Sequence, residues 1–195
     1  MTTKYLSILM PTLRERASLR APLVKKIQDQ VTALGGLAEL ILFEDDRQFT
    51  TGHKRNVLLT KAGGKFVSFV DDDDDVSDWY VRDIVDTIIQ HPDLDVIGMW
   101  GIIEWLNEGG RKNTFIHSLV CGDWAFSGDI YYRPPNHLNP IRAEIVRSLA
   151  YEDKTISEDF SWSTSMQRLG LLKYEVFLGG KPLYHYRCGG KWRTL

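Results

Sequence analysis

The chain has 195 residues, enough to bury a sizeable core as one domain or as two closely merged halves. Hydrophobic residues make up 43% and charged residues 26%, ordinary values for a soluble globular protein. A formal net charge of −2 supplies no global field for nucleic acid or anionic lipid, and Cys121 and Cys188 are too few for a disulfide framework or, alone, a zinc site.

Tyr5–Pro11 is an apolar run closed by proline, a buried first strand of strand length only. With no charged region and long apolar run at the start, the expectation is a protein without signal peptide or membrane span, in the reducing cytoplasm. Leu19–Leu34 has helical spacing, with Leu19, Leu23, Ile27 and Val31 on one face and Gly35-Gly36 as the stop. Leu37–Phe43 reads as a second strand ending in Glu44-Asp45-Asp46, and Lys54–Ala62 as a helix stopped by Gly63-Gly64. Lys65–Val70 is a third strand, and five aspartates, Asp71 to Asp75, follow it directly. Asp78 is placed to cap a helix over Trp79–Gln90, which His91-Pro92 ends, and Asp95–Ile103 is a fourth strand. The alternation predicts an α/β fold: a Rossmann-like, mostly parallel sheet with helices on both faces.

Beyond residue 104 the pattern changes. Thr114–Tyr132 is aromatic and strand-like, Pro134-Pro135 interrupts it, and Pro140–Leu149 fits a short helix. Ser157 is placed to cap a helix from Glu158 to about Leu169, ended by Gly170, and Tyr174–Leu178 and Leu183–Tyr186 are short strands. No low-complexity linker divides the chain, so the expectation is one domain over 1–195, with a first half to residue 104 and a second from 105.

Three acidic clusters carry the chemical reading. Crowded carboxylates repel, so Asp71–Asp75 is costly without a cation nearby, and oxygen ligands suit Mg²⁺ or Mn²⁺. In open α/β sheets ligands bind outside the carboxyl ends of strands, and a hard ion there points to a phosphate-bearing substrate. The alternative is a solvated loop that caps the next helix. Glu44-Asp45-Asp46 ends a neighbouring strand, which favours a shared site over two separate turns. Glu158-Asp159 opens a helix, where acidic residues also suit the dipole without any catalytic role.

Taken in order, these segments resemble a family 2 nucleotide-sugar glycosyltransferase of the GT-A fold. Leu6-Ser-Ile-Leu-Met-Pro-Thr12 resembles the family's opening strand, and Leu40-Ile-Leu-Phe-Glu-Asp-Asp46 its second strand with an acidic tip. Gly52-His-Lys-Arg-Asn56 resembles the Gly-x-x-Arg-Asn helix start, and Ala62 to Asp74 the block ending in Asp-x-Asp-Asp. Ser157-Glu-Asp159 with Arg168-Leu-Gly170 resembles the Glu-Asp helix, and Pro182 to Arg187 the C-terminal segment. Arg14-Glu15 stands where the family often has Asn, and Asp46-Arg-Gln replaces the usual Asp-Gly-Ser.

The resemblance implies metal-dependent transfer of a hexose or pentose, with inversion, from a nucleotide-sugar to an acceptor hydroxyl, the second half being a smaller acceptor-side β/α region. It assigns Asp73 as ligand of Mn²⁺ or Mg²⁺ and Asp159 as general base. Asp71 and Asp72 of the Asp-x-Asp motif, Thr12 and Arg14 after the first strand, and Glu44 or Asp45 would contact the donor, which is UDP- or GDP-linked. Arg55 is either a diphosphate ligand or a solvated helix residue, and His185 either approaches the metal or hydrogen-bonds within a strand. On the acceptor side stand Trp124, His137 and Glu158; Trp100, Trp105 and Trp162 read as packing residues. The acceptor is a glycan, a lipid-linked sugar, a protein or a modified nucleic-acid base, the last resting on a basic cluster of Arg187, Lys191 and Arg193. A metal-dependent nucleotidyltransferase and a catalytically inactive nucleotide-sugar-binding module are the alternatives.

Overall fold

A computed structural model describes residues 3–189, which leaves Lys191 and Arg193 of the basic cluster outside the described residues. The first half runs β1 (Leu6–Leu13), α1 (Ala17–Ala33), β2 (Ala38–Asp45), α2 (Thr51–Lys61), β3 (Phe66–Phe69), β4 (Asp75–Val76), α3 (Tyr80–Gln90) and β5 (Val96–Trp105). The second half adds β6 (Arg111–His117), β7 (Ala125–Ser127), β8 (Ile130–Arg133), β9 (Ile141–Arg142), α4 (Ala143–Arg147), α5 (Glu158–Arg168), β10 (Glu175–Leu178) and β11 (Tyr184–Cys188). One mixed sheet joins the strands of both halves.

Successive side chains of a strand point to opposite faces, and the buried residues divide on that rule. Leu6, Ile8 and Met10 of β1 pack with Leu23 and Ile27 of α1 and with Val81, Ile84 and Val85 of α3. Leu9, between them, faces the other side with Val67 and Phe69 of β3, Leu58 of α2, Val146 of α4 and Trp162 and Met166 of α5. Helices on both faces of a mostly parallel sheet are the architecture expected from the sequence.

β1 lies between β2 and β3 and is parallel to both. The fourth strand of the alternation, β5, does not follow β3 directly. β9 is inserted antiparallel between them, and residues 141–142, expected in a helix over Pro140–Leu149, are used for this strand, so α4 is only a short remnant. β5 then pairs antiparallel with β6 and parallel with β10 and β11.

Other local expectations are corrected. Leu19 is 38% exposed and does not join the buried face of α1. Asp78 does not cap α3: the cap position is Trp79, without a side-chain bond, and Asp78 Oδ1 lies 3.9 Å from Lys26 instead. Ser157 does precede α5, but at φ 62° its backbone is left-handed and its side chain caps nothing. The stretch Thr114–Tyr132 splits into β6, β7 and β8, with Gly128 turning between the last two at φ 60°. Trp162 is buried and stacks on Tyr151, as a packing residue should, and Trp105 packs against the core, whereas Trp100 is half-buried and donates Nε1–H to Gly179 O. Among the described residues no helix is long and apolar enough to cross a membrane.

Candidate active site

The ends of β1 and β3, the first turn of α2, the 133–138 segment and the start of α5 converge on one cavity of about 550 Å³. The acidic run enters it from the end of β3, and its five carboxylates have five different surroundings. Asp72 is buried, accepting the Thr12 hydroxyl at 2.5 Å and Arg16 Nη1 at 2.7 Å. Asp74 is also buried, accepting the Tyr184 hydroxyl at 2.8 Å and the Arg187 backbone N–H at 2.9 Å. Asp75 opens β4 and meets Lys26 at 2.8 Å and Arg187 at 3.4 Å, away from the cavity. Only Asp71 and Asp73 are half-covered carboxylates that face the cavity. Lysine and arginine side chains therefore relieve most of the crowding that the sequence alone assigned to a metal.

α2 supplies the cationic floor. Lys54 is buried, ion-paired to Asp45 and hydrogen-bonded to Thr12 O at 2.9 Å. Burial raises the Asp45 pKa, but the hydrogen bonds from Lys54 and from the Phe49 N–H outweigh it and hold the carboxyl below its ordinary value. Arg55, 2% exposed, reaches Asp71 Oδ1 at 3.1 Å and Glu158 Oε1 at 3.2 Å, with its guanidinium 4.8 Å from the Phe69 ring centre. Burial lowers the Arg55 pKa, yet Asp71, Tyr151, Glu158 and Asp159 around it raise it above the ordinary value, so the group stays charged. Its Nη1 is buried without a hydrogen-bond partner, a donor left over for a ligand.

Asp159 lines the cavity from the first turn of α5. His137 stands between it and the acidic run: Nε2 is 3.5 Å from Asp71 Oδ2, and Nδ1 is 3.5 Å from Asp159 Oδ2. The segment 152–154, which leads into α5, is clamped onto α2 by the Gly52 N–H on Lys154 O at 3.0 Å and by the Thr50 hydroxyl on Asp153.

Of the residues singled out in the sequence, the fold brings Thr12, Arg55, Asp71, Asp72, Asp73, His137, Glu158 and Asp159 to the cavity wall. Five do not reach it. Arg14 is exposed and pairs with Glu44 and Asp46, and Glu44 pairs with Arg20 and Arg14 outside the cavity. Asp45 sits behind Lys54 as its counter-charge. Trp124 is 43% exposed outside the cavity, edge-on to Phe160 and with the Arg133 guanidinium 3.9 Å over its ring. His185 faces away, because Tyr186, next to it on β11, lines the cavity and strand neighbours point to opposite sides. The His185 Nε2 lies 3.1 Å from Glu104 instead, apart from Asp71 and Asp73 on the cavity wall.

Sequence reasoning missed Arg16, Lys54, Arg133, Phe49 and Tyr186, all on the cavity wall. A signal for Lys54 existed in its place one residue before Arg55; Arg133 and Tyr186 carried none.

The carboxylates suit a hard divalent ion under one condition. Among the described residues no group of three or more His, Cys, Asp or Glu is placed to hold an ion alone. Mg²⁺ is commonly held by one or two carboxylates, with water and substrate phosphate completing its shell, and Asp73 with Asp71 beside it meets that pattern.

No family model and no curated protein sequence matches the chain. Solved structures do. Staphylococcus aureus TarS residues 1–349 with UDP-GlcNAc matches at TM-score 0.64 and 16% identity, covering 95% of this chain and 59% of that one. The same TarS segment with UDP matches at TM-score 0.62 and 15% identity, covering 95% and 61%. A longer TarS structure matches at TM-score 0.59 and 16% identity, covering 94% of this chain and 36% of that one. The chain thus spans about a third to three fifths of these TarS chains, and it shares their fold, a mixed α/β arrangement with a mostly parallel central sheet flanked by helices.

Proposed function

We propose that the chain is a family 2 glycosyltransferase that moves a sugar from a nucleotide-sugar donor to an acceptor hydroxyl, with inversion at the anomeric carbon. The observation that carries this reading is the meeting of Asp71, Asp73 and the cations Arg16, Lys54 and Arg55 with Asp159 in one cavity. The UDP and UDP-GlcNAc complexes of TarS make a UDP-linked hexose the first donor to try.

In this reading Arg55, with its unused Nη1, and Lys54 hold the donor diphosphate. Asp73, with Asp71 beside it, would hold Mn²⁺ or Mg²⁺, which supplies charge that steadies the departing nucleoside diphosphate. The acceptor oxygen forms a bond to the anomeric carbon as the bond from that carbon to the phosphate oxygen breaks. The bonding pair leaves with the diphosphate, and the acceptor proton passes to the Asp159 carboxylate. The acceptor would approach past Arg133, with Trp124 and Phe160 at the rim.

Calorimetry with UDP in Mn²⁺ and in EDTA, together with release of UDP from UDP-GlcNAc, tests the proposal. Asp159→Asn should leave UDP affinity within a few-fold and lower turnover by roughly a hundred- to ten-thousand-fold, the usual contribution of a general base. Near-parental turnover in that variant would remove the base. Failure of the parent to bind UDP, GDP or their sugar conjugates with either metal would remove the function.

A further inference from the structure

Two side chains, Arg55 and His137, stand between Asp71 and the acidic start of α5. Arg55 makes the first tie, to Glu158, with hydrogen bonds at both ends. His137 stands in the place of the second, towards Asp159, and it is the unusual one. It is 6% exposed, yet neither ring nitrogen has a hydrogen-bond partner. Buried polar atoms are nearly always paired, so two on one ring need a reason.

Loose placement is not that reason. The His137 carbonyl accepts the Phe69 N–H at 2.9 Å, and the next carbonyl, of Leu138, accepts the Ser68 hydroxyl at 2.9 Å. Asn136 Oδ1 accepts the Leu138 N–H, and Asn139 Oδ1 accepts the Asn136 N–H, both at 3.0 Å, while Asn139 Nδ2 donates to Ile97 O at 2.9 Å. The segment is locked to the sheet at β3 and β5, and the ring it carries sits 3.5 Å from a carboxylate at each end. Catalytic hydrogen bonds are often this long without substrate and tighten in the complex.

We infer that His137 is a positioning residue: its Nδ1–H orients the Asp159 carboxylate, and its Nε2 meets Asp71, so that donor side and base are aligned through one imidazole. The inference rests on the proposed function for the roles of Asp71 and Asp159. An imidazole presents a ring nitrogen to each carboxylate, 3.5 Å away at both ends, whereas a side-chain amide can replace only one end.

Two amide variants separate the ends. Asn places its N–H near the position of Nδ1, and Gln near that of Nε2. With UDP-GlcNAc as donor and water as acceptor, His137→Asn should mainly raise the donor KM, by about tenfold, and His137→Gln should mainly lower kcat, by about tenfold or more, as loss of a supporting partner usually does. Equal effects of the two variants on kcat and on KM would mean a merely structural histidine and would overturn the inference. A measurement without substrate keeps it independent of the proposed function. In the imidazole ¹⁵N spectrum, identified by the signals that vanish in His137→Gln, Asp159→Asn should shift Nδ1 of His137 and Asp71→Asn should shift Nε2. A folded Asp159→Asn protein with an unmoved Nδ1 signal overturns the inference. If the protein bound no nucleotide while both shifts occurred, the pairing would stand and the proposed function would fall.

Discussion

Gly52 sits in the first turn of α2 with an ordinary negative φ, so it is not there for backbone freedom. A Cβ on it would overlap the carbonyl oxygen of Glu152 and lie 3.0 Å from that carbonyl's carbon and 3.2 Å from Lys154 O. All three obstacles are backbone atoms, so none can rotate away. Gly52→Ala must therefore push the 152–154 segment off α2 and stretch the Gly52 N–H bond to Lys154 O, 3.0 Å in the parent. Overpacking of this kind costs about 1–3 kcal/mol, and a weakened hydrogen bond adds about 1 kcal/mol. Alanine's better helix propensity returns about 1 kcal/mol, which leaves roughly 2 kcal/mol of net destabilisation. For a chain of this length that corresponds to a Tm lower by about 4–8 °C. The same displacement passes along the chain to Asp159, so UDP release from UDP-GlcNAc should fall further than the loss of folded protein explains. Scanning calorimetry on the purified variant gives the answer. A Tm equal to or above the parent's would refute the close approach, because propensity alone would then have decided the outcome.

Neighbouring aspartates should respond oppositely. Asp74→Ala removes the acceptor of the buried Tyr184 O–H, whose oxygen keeps only the Asp71 N–H, and of the part-buried Arg187 N–H, at on the order of 1–3 kcal/mol in all, and should lower the Tm by several degrees. Asp73→Ala, at the cavity wall, should change stability by less than about 1 kcal/mol but abolish any strengthening of UDP binding by Mn²⁺ over EDTA in calorimetry; binding that still responds to Mn²⁺ would place the ion elsewhere. His117 is buried, and burial first, then the charges of Arg133 and His137, hold its pKa well below 6.5. Below about pH 6.5 the unfolded chain takes up a proton that the native ring refuses, so stability should fall with pH from there towards the folded pKa, by up to about 1.4 kcal/mol per unit. Urea unfolding at pH 5.5 and 7.5 should show this loss in the parent and a smaller one in His117→Asn; equal losses would remove His117 as the cause.

The sequence by itself marked most elements of the first half and the acidic strand end that lines the candidate cavity. Strand and helix periods are read within a few residues, so Leu6, Ile8 and Met10 announce a buried strand, and Leu23, Ile27 and Val31 a helix face, without knowledge of what covers them. The rule that ligands gather at the carboxyl ends of parallel strands pointed to Asp71 and Asp73, and both line the cavity there. The tertiary structure decided which residues of a local cluster face the cavity. In the run Asp71–Asp75 the side chains are chemically identical, and they divide only because Thr12, Arg16, Arg55, Lys26, Tyr184 and Arg187 approach from elsewhere in the chain. His185 and Tyr186 differ by one step on β11, and a one-residue register sends one towards Glu104 and the other to the cavity. β9 is two residues long, too short for a period, and exists because β3 and β5 leave a slot that Ile141–Arg142 fills. Local propensity is set by neighbours along the chain, whereas pairing, burial and the partner of each charge are set by contacts across 50 to more than 100 residues, as between Arg55 and Glu158, and those exist only once the chain has folded.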